Sequence, residues 1–335
     1  ALKVRLLGPE RAAIERPSTV DLDAYSAYLK GLYHWNKLSP EGFARSRECF
    51  EEAIRTDRDY APAYNGLGMW FISQAFWADL SPREAWARCK GAIEKALSLD
   101  PDSAMAHVGM GTLLAFSERR WQASEESLRR GVALGPSAAM AYMNLAAFLV
   151  VRGRWDEAAA VARLSLRLDP LSVPNCAWNA GWLDMAGHRE EARAELERVI
   201  ALDPTHWLPH WELSLLAARG GRLEEVRAEG EKAVEFSGGA SVAMALLACA
   251  CYALGDKQRG EALRVRLEER AQGRHVPPGF FAWMAAARQE VEGVVRWLEV
   301  AAESKDPWFA CYRALPPTLV SSDPRIEAVL SRFDL

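Results

Sequence analysis

Four glycines, Gly153, Gly187, Gly221 and Gly255, stand 34 residues apart, and four prolines, Pro101, Pro136, Pro170 and Pro204, keep intervals of 35, 34 and 34. Glycine and proline each mark a turn, so two kinds of punctuation holding one period mean that the same turn returns at the same phase of a repeating unit. A single core with irregular connections has no reason to do this. A unit of this length is a pair of antiparallel helices, and stacked copies together bury the faces that none can bury alone.

The inside of the unit is specified as well. Ten residues past each proline come Gly111, Ala146, Ala180 and Ser214, and Gly68 and Ala248 take this phase in flanking units. Five residues past each glycine come Ala158, Ala192, Val226 and Gly260, with Cys89 and Ser124 at the equivalent earlier places. One small position per helix lets the two helices of a hairpin approach closely, while Leu67, Met110, Leu145, Leu213 and Leu247 fill the space around them. Each glycine follows one helical run and precedes an acidic one, as in Ala186-Gly187-His188-Arg189-Glu190-Glu191. A left-handed glycine ends the first helix, and the acids favour the positive end of the next. Asp100-Pro101, Asp169-Pro170 and Asp203-Pro204 stop the second helix and open the next unit.

These residues resemble the tetratricopeptide repeat family. Tyr64, Leu67-Gly68 and Phe71 match the first half of its pattern, and Ala158 with Pro170, and Ala192 with Pro204, match the second. The resemblance runs from about Leu22 to Ala302 and implies an all-α, right-handed superhelix of about eight helical hairpins with a carboxy-terminal capping helix. The first unit carries extra residues around Lys37 to Glu41. About nine extra residues from Phe71 to Pro82 lengthen the first helix and the turn of the second unit, and Ser237-Gly238-Gly239 replaces Asp-Pro with a looser joint. After Gln272 the period blurs. The segments Ala24 to Gly31, Lys305-Asp306-Pro307-Trp308 and Ser322-Asp323-Pro324-Arg325 look like the carboxy-terminal repeat region of large bacterial signalling proteins, in which a cyclase, a Ser/Thr kinase or a winged-helix domain precedes the repeats, often with a TolB-like segment between. The expected division is a linker or the end of a preceding domain over 1–20, the array over 21–304 and the cap over 305–335. The chain starts without an initiating Met in what reads as the middle of a helix, Ala1 to Leu7, closed by Gly8-Pro9, as in a fragment or mature piece of a longer chain.

Net charge is −4 with a pI near 6.0, and acids and bases alternate along helix faces. This gives no footprint for nucleic acid, and no apolar run approaches the roughly 18 residues that span a bilayer. Six cysteines, Cys49, Cys89, Cys176, Cys249, Cys251 and Cys311, lack the paired spacing of a disulfide scaffold and read as buried thiols of a cytoplasmic protein. A periplasmic location would require a membrane segment before residue 1. No phosphate loop, His-Glu-x2-His or Gly-x-Ser-x-Gly is present, so the expectation is a chain that is not an enzyme and uses no cofactor and no metal. His206 and His210 are four apart but flank Pro209 and lack a third ligand, and read as helix-entry residues.

Of the 13 tryptophans, Trp121 and Trp155 each begin a second helix and read as wedges between hairpins. Other large residues fall at phases that, by resemblance to the family, line the inner concave wall: Tyr28, Trp35, Met69, Met105, Phe116, Met143, Trp178, Met185, Trp211, Leu215 and Arg219. The Lys, Arg and Asn side chains with which family members hold a peptide carboxylate are nearly missing. An apolar, Met-rich wall suits an apolar peptide or amphipathic helix instead. The expected function is a non-catalytic protein-protein interaction scaffold with a protein or peptide partner, no nucleic acid and no membrane. The alternative is a dimerisation or intramolecular regulatory arm, making a homodimer or contacting an upstream effector domain, with the groove closed on itself or filled.

Overall fold

The computed structural model describes residues 21–77, 80–312 and 323–333. Eight hairpins follow one another: α1 (Leu22–Trp35) and α2 (Pro40–Thr56), α3 (Ala61–Trp77) and α4 (Pro82–Leu99), α5 (Ala104–Phe116) and α6 (Trp121–Leu134), α7 (Ala139–Val151) and α8 (Trp155–Leu168), α9 (Val173–Met185) and α10 (Arg189–Leu202), α11 (Trp207–Arg219) and α12 (Leu223–Phe236), α13 (Ser241–Ala253) and α14 (Lys257–Ala271), and α15 (Pro278–Ala287) and α16 (Val291–Ser304). A single turn, α17 (Pro307–Ala310), and a last helix, α18 (Pro324–Arg332), complete the array, and no strand occurs among the described residues. The reading of Ala1 to Leu7 as a helix lies outside the described residues.

The turns are built as the spacing predicts. Gly153, Gly187, Gly221 and Gly255 have φ of 68°, 91°, 70° and 81°, the left-handed region that a side chain resists. At the other end of the unit the aspartate makes the turn. The carboxylates of Asp57, Asp100 and Asp203 each accept from the N–H two residues on, and that of Asp169 from Ser172. Six residues past the proline position a side chain clasps the carbonyl of the same turn: Tyr64 to Arg58, Tyr142 to Pro136, and the rings of His107 and His210 to Pro101 and Pro204. This clasp gives the histidine at 210 a part in the turn. Its other ring nitrogen lies 2.7 Å from Glu229, and the His206 ring caps α11 by accepting from Leu208 N–H.

The small positions are buried and pack as pairs. Ser124 in α6 donates to the carbonyl of Gly111 in α5 at 2.8 Å, and Ser214 in α11 to that of Val226 in α12 at 2.9 Å. A methyl group built on Gly111 would lie 2.6 Å from the Leu128 side chain, and one on Gly68 would lie 2.4 Å from that of Ile93. The second unit has the longer first helix, 17 residues in α3 against 13 in α5. The Gly238-Gly239 joint, with φ of 64° and 84°, is pinned by Arg270, which donates to the Gly239 carbonyl at 2.7 Å.

The two helices of a hairpin play different parts. Second helices are amphipathic and lie outside; α14 buries only Gly260, Leu263 and Leu267. First helices form the inner layer and, from α3 on, are apolar nearly all round, as a helix surrounded by protein must be, whereas α1 at the end of the array buries only Ala24, Ala27 and Gly31. In α11 every residue from Trp207 to Ala218 is buried. This follows from how far the superhelix winds. Trp207 donates to the carbonyl of Leu38, so the sixth hairpin meets the loop of the first at 2.9 Å. The end of α16 and the residue after it meet the second and third hairpins, where Trp86 donates to Lys305 O, Arg83 to Glu303 O and Arg119 to Ala302 O. Asp323 caps α18 by accepting from Arg325 N–H, and Ile326, Val329 and Leu330 face α16 and are buried.

One expectation about the tryptophans is corrected. Trp155 is 41% exposed and wedges nothing. It stands on the outer layer at the start of α8, with its ring near the Gly153 turn. Trp121, at the equivalent place, is half-buried beneath the Arg152 guanidinium, 4.8 Å from its ring centre.

Candidate functional site

On the concave side a partly open cavity of about 210 Å³ remains between the first four units and α9. Trp35, Met69, Phe116, Met143 and Trp178, five of the wall residues expected from sequence, line it together. They come from α1, α3, α5, α7 and α9, and the inner layer brings them to one place because each sits at the inward phase of a first helix. The Trp35 indole donates to Ser73 Oγ at 2.9 Å, which fixes the ring across the gap between α1 and α3.

The other predicted wall residues stand elsewhere. Tyr28 packs edge-on against Tyr60 and against Phe50 near the amino-terminal end, and burial raises its phenol above the ordinary tyrosine range. Met105 and Met185 are half-buried against the core of units two to four. Trp211 and Leu215 keep the inward phase but are covered, Trp211 to 2% exposure. Its ring is hemmed by Trp77, Trp178, Trp207 and Trp308 at centroid distances of 6.4, 6.0, 6.5 and 6.0 Å. Arg219 donates to the Asp184 carboxylate and so is spent inside the wall. Beside it Glu212 is buried, and loss of water pushes its carboxyl well above the usual range, though the Arg219 charge pulls it partly back.

Sequence reasoning missed Trp77, Trp182, Trp308 and Asp169, which also line the cavity. Trp77 ends the lengthened α3, and Trp308 belongs to the tail beyond the last repeat, so neither holds a wall phase of the period. Trp178 and Trp182, one helical turn apart, stack at 5.5 Å with their planes 16° apart. Trp308 closes the far side, where its indole donates to the Phe76 carbonyl at 2.9 Å and its ring meets Trp77 edge-on. No group of three or more His, Cys, Asp or Glu side chains placed to hold a metal occurs among the described residues. None of the six cysteines is in a disulfide, and burial raises the thiols of Cys176 and Cys311 to about 12.

An inner and an outer layer of helices, wound so that the inner one frames an aromatic cavity, define the class of protein: an α-solenoid of helical hairpins. The family model for the tetratricopeptide repeat matches residues 113–173 and 185–241, and this match supports that family for the chain. Among solved structures, the APC/C hetero-tetramer Cut9-Hcn1 is similar at 12% identity over 97% of this chain and 59% of that one, with a TM-score of 0.61. Yeast Tom70 is similar at 13% identity over 94% and 65%, with a TM-score of 0.53. At such identities the likeness shows the fold. PilW, described as a type IV pilus biogenesis factor, is 20% identical over 62% of this chain and 92% of its own, with a TM-score of 0.48. No curated protein matches the sequence. No described helix is long and apolar enough to cross a membrane.

Proposed function

We propose that the chain is a non-catalytic scaffold that binds a segment of a partner protein on its concave side, with the cavity between Trp35 and Trp178 as the anchor point. One observation carries the reading: five helices of the inner layer deliver Trp35, Met69, Phe116, Met143 and Trp178 to one partly open cavity. An aromatic anchor entering a preformed pocket supplies binding energy at small ordering cost, and methionine adapts to its shape. Trp211, Leu215, Met105, Met185, Tyr28 and Arg219 serve by shaping the wall behind. The unpaired thiols fit a cytoplasmic setting, and the place of the array after a signalling domain rests on the sequence resemblance of the two ends.

The test is to pan a displayed library of linear peptides against the folded chain and titrate the enriched peptides into wild type and Trp178→Ala. Binding weakened by about tenfold or more, with unchanged circular dichroism, supports the reading. No enrichment, or peptides indifferent to Trp178, overturns it. Sedimentation of the same samples addresses the arm alternative, for which a stable dimer burying the cavity would speak.

A further inference from the structure

The polar inventory of the cavity says what it can hold. In a chain with 41 Lys and Arg residues, no Lys, Arg or His is among the described lining residues. The single charged one is Asp169. Several hydrogen-bond donors that lie there turn back into the protein, Trp35 Nε1 to Ser73 Oγ, Trp308 Nε1 to Phe76 O, Asn144 Nδ2 to Met140 O and Asn175 Nδ2 to Asp169 O, while the buried Trp182 Nε1 has no partner. Thr112 donates to Val108 O and lies 3.2 Å from Asn144 Oδ1. What a guest meets is a wall of indole and phenyl rings, among them the unpartnered Trp182 N–H, the thioethers of Met69, Met140 and Met143, and Asp169. A carboxylate guest would find no cationic side chain and would meet the like charge of Asp169. A cation is suited instead, because ring quadrupoles and a carboxylate both attract it.

We infer that the cavity is a cation site whose occupant is the alkylammonium end of a lysine side chain, free or methylated, presented by the bound segment. This rests on the proposed scaffold function and names what the anchor is. The lysine stem lies along Met and aromatic surface, as such stems do at interfaces, and its charged end sits among the rings with Asp169 as counter-ion. The Asp169 geometry suits that part, since one carboxylate oxygen accepts from Ser172 N–H at 3.2 Å and holds the group at the cavity end of α8.

The experiment titrates blocked tripeptides, acetyl-Ala-X-Ala amide with X as lysine, trimethyllysine, norleucine or glutamate, and in parallel choline against its neutral isostere 3,3-dimethylbutan-1-ol, by calorimetry and tryptophan fluorescence. Expected is binding of the lysine forms and choline at least about tenfold tighter than norleucine and the neutral isostere. Asp169→Asn keeps the acceptor for Ser172 N–H and removes the charge. It should weaken the cationic probes severalfold and leave the neutral ones unchanged, while Trp178→Leu should weaken the cations more than norleucine. Equal affinity for norleucine and lysine, tightest binding of glutamate, indifference of choline to Asp169→Asn, or no binding of any probe at millimolar concentration overturns the inference. The two readings fail separately. Choline binding without enriched peptides would remove the scaffold and leave the cation site, whereas peptides captured through an apolar or acidic anchor would do the reverse.

Discussion

The Trp308 indole donates to the carbonyl oxygen of Phe76, 232 residues earlier, and so ties the tail beyond the last repeat to the end of the lengthened α3. An open solenoid has contacts only between neighbouring units, and its stability is close to a sum over them. Here one side chain also joins the two ends. Trp308 touches Phe76, Trp77, Trp211, Phe280 and Trp283. Trp308→Ala should therefore cost about 3 to 5 kcal/mol, and Trp308→Phe, which loses chiefly the hydrogen bond, about 1 kcal/mol. Urea unfolding of both variants checks the order. A Trp308→Ala protein as stable as wild type would show that the closure contributes nothing.

The turn glycines separate backbone strain from crowding. Gly187 has φ of 91° with open space around it, so a side chain there meets no atom and suffers only in the backbone. Gly187→Val should cost on the order of 1 to 2 kcal/mol. Gly91, in α4, also has open space but is helical, and Gly91→Ala should gain up to about 1 kcal/mol. Thermal unfolding of the pair should move in opposite directions, and movement in the same direction would refute the left-handed assignment.

Asp306, at the start of α17, adds a pH dependence. Burial raises its carboxyl from 3.8 to about 7, although Gly279 and Trp308 N–H groups donate to it and favour the charge. The neighbouring titratable group is the buried thiol of Cys311. The folded state holds this proton more tightly than the unfolded chain, so the stability it contributes is complete below pH 4 and is lost as pH rises through about 7. The surface carboxylates paired with arginine, such as Glu261 at about 2, act in the opposite sense and at lower pH. The advantage of wild type over Asp306→Asn should shrink between pH 4 and 8. A difference independent of pH would exclude the titration of Asp306.

The last helix covers the last hairpin through Ile326, Val329 and Leu330, and Phe333 meets Phe309 edge-on at 5.6 Å. Removing residues 323–335 should leave that apolar face open and promote association, as loss of a solenoid cap does. Light scattering against concentration measures it. A deletion that stays monomeric and keeps its full thermal stability would show that α18 is dispensable.

The sequence alone determined the repeating unit, because each feature of it is local. The left-handed turn at Gly187, the aspartate turn at Asp203 and the close approach of Ser214 to α12 involve residues within a few turns of one another, and the period repeats each of them. The inward phase of Trp35 and Trp178 was legible for the same reason. How far the superhelix winds was not, since that depends on small rotations summed over eight hairpins. Winding decided that Trp211 is covered while Met143 borders a cavity, two residues at one phase of the repeat, two units apart, with different surroundings. It also brought Trp77, Trp308 and Asp169 to the cavity, from an insertion, a tail and a turn that share no position in the repeat. Trp155 shows the same limit from outside, for the period gives a residue's place within a hairpin, and only the packing of hairpins into layers decides which places meet water.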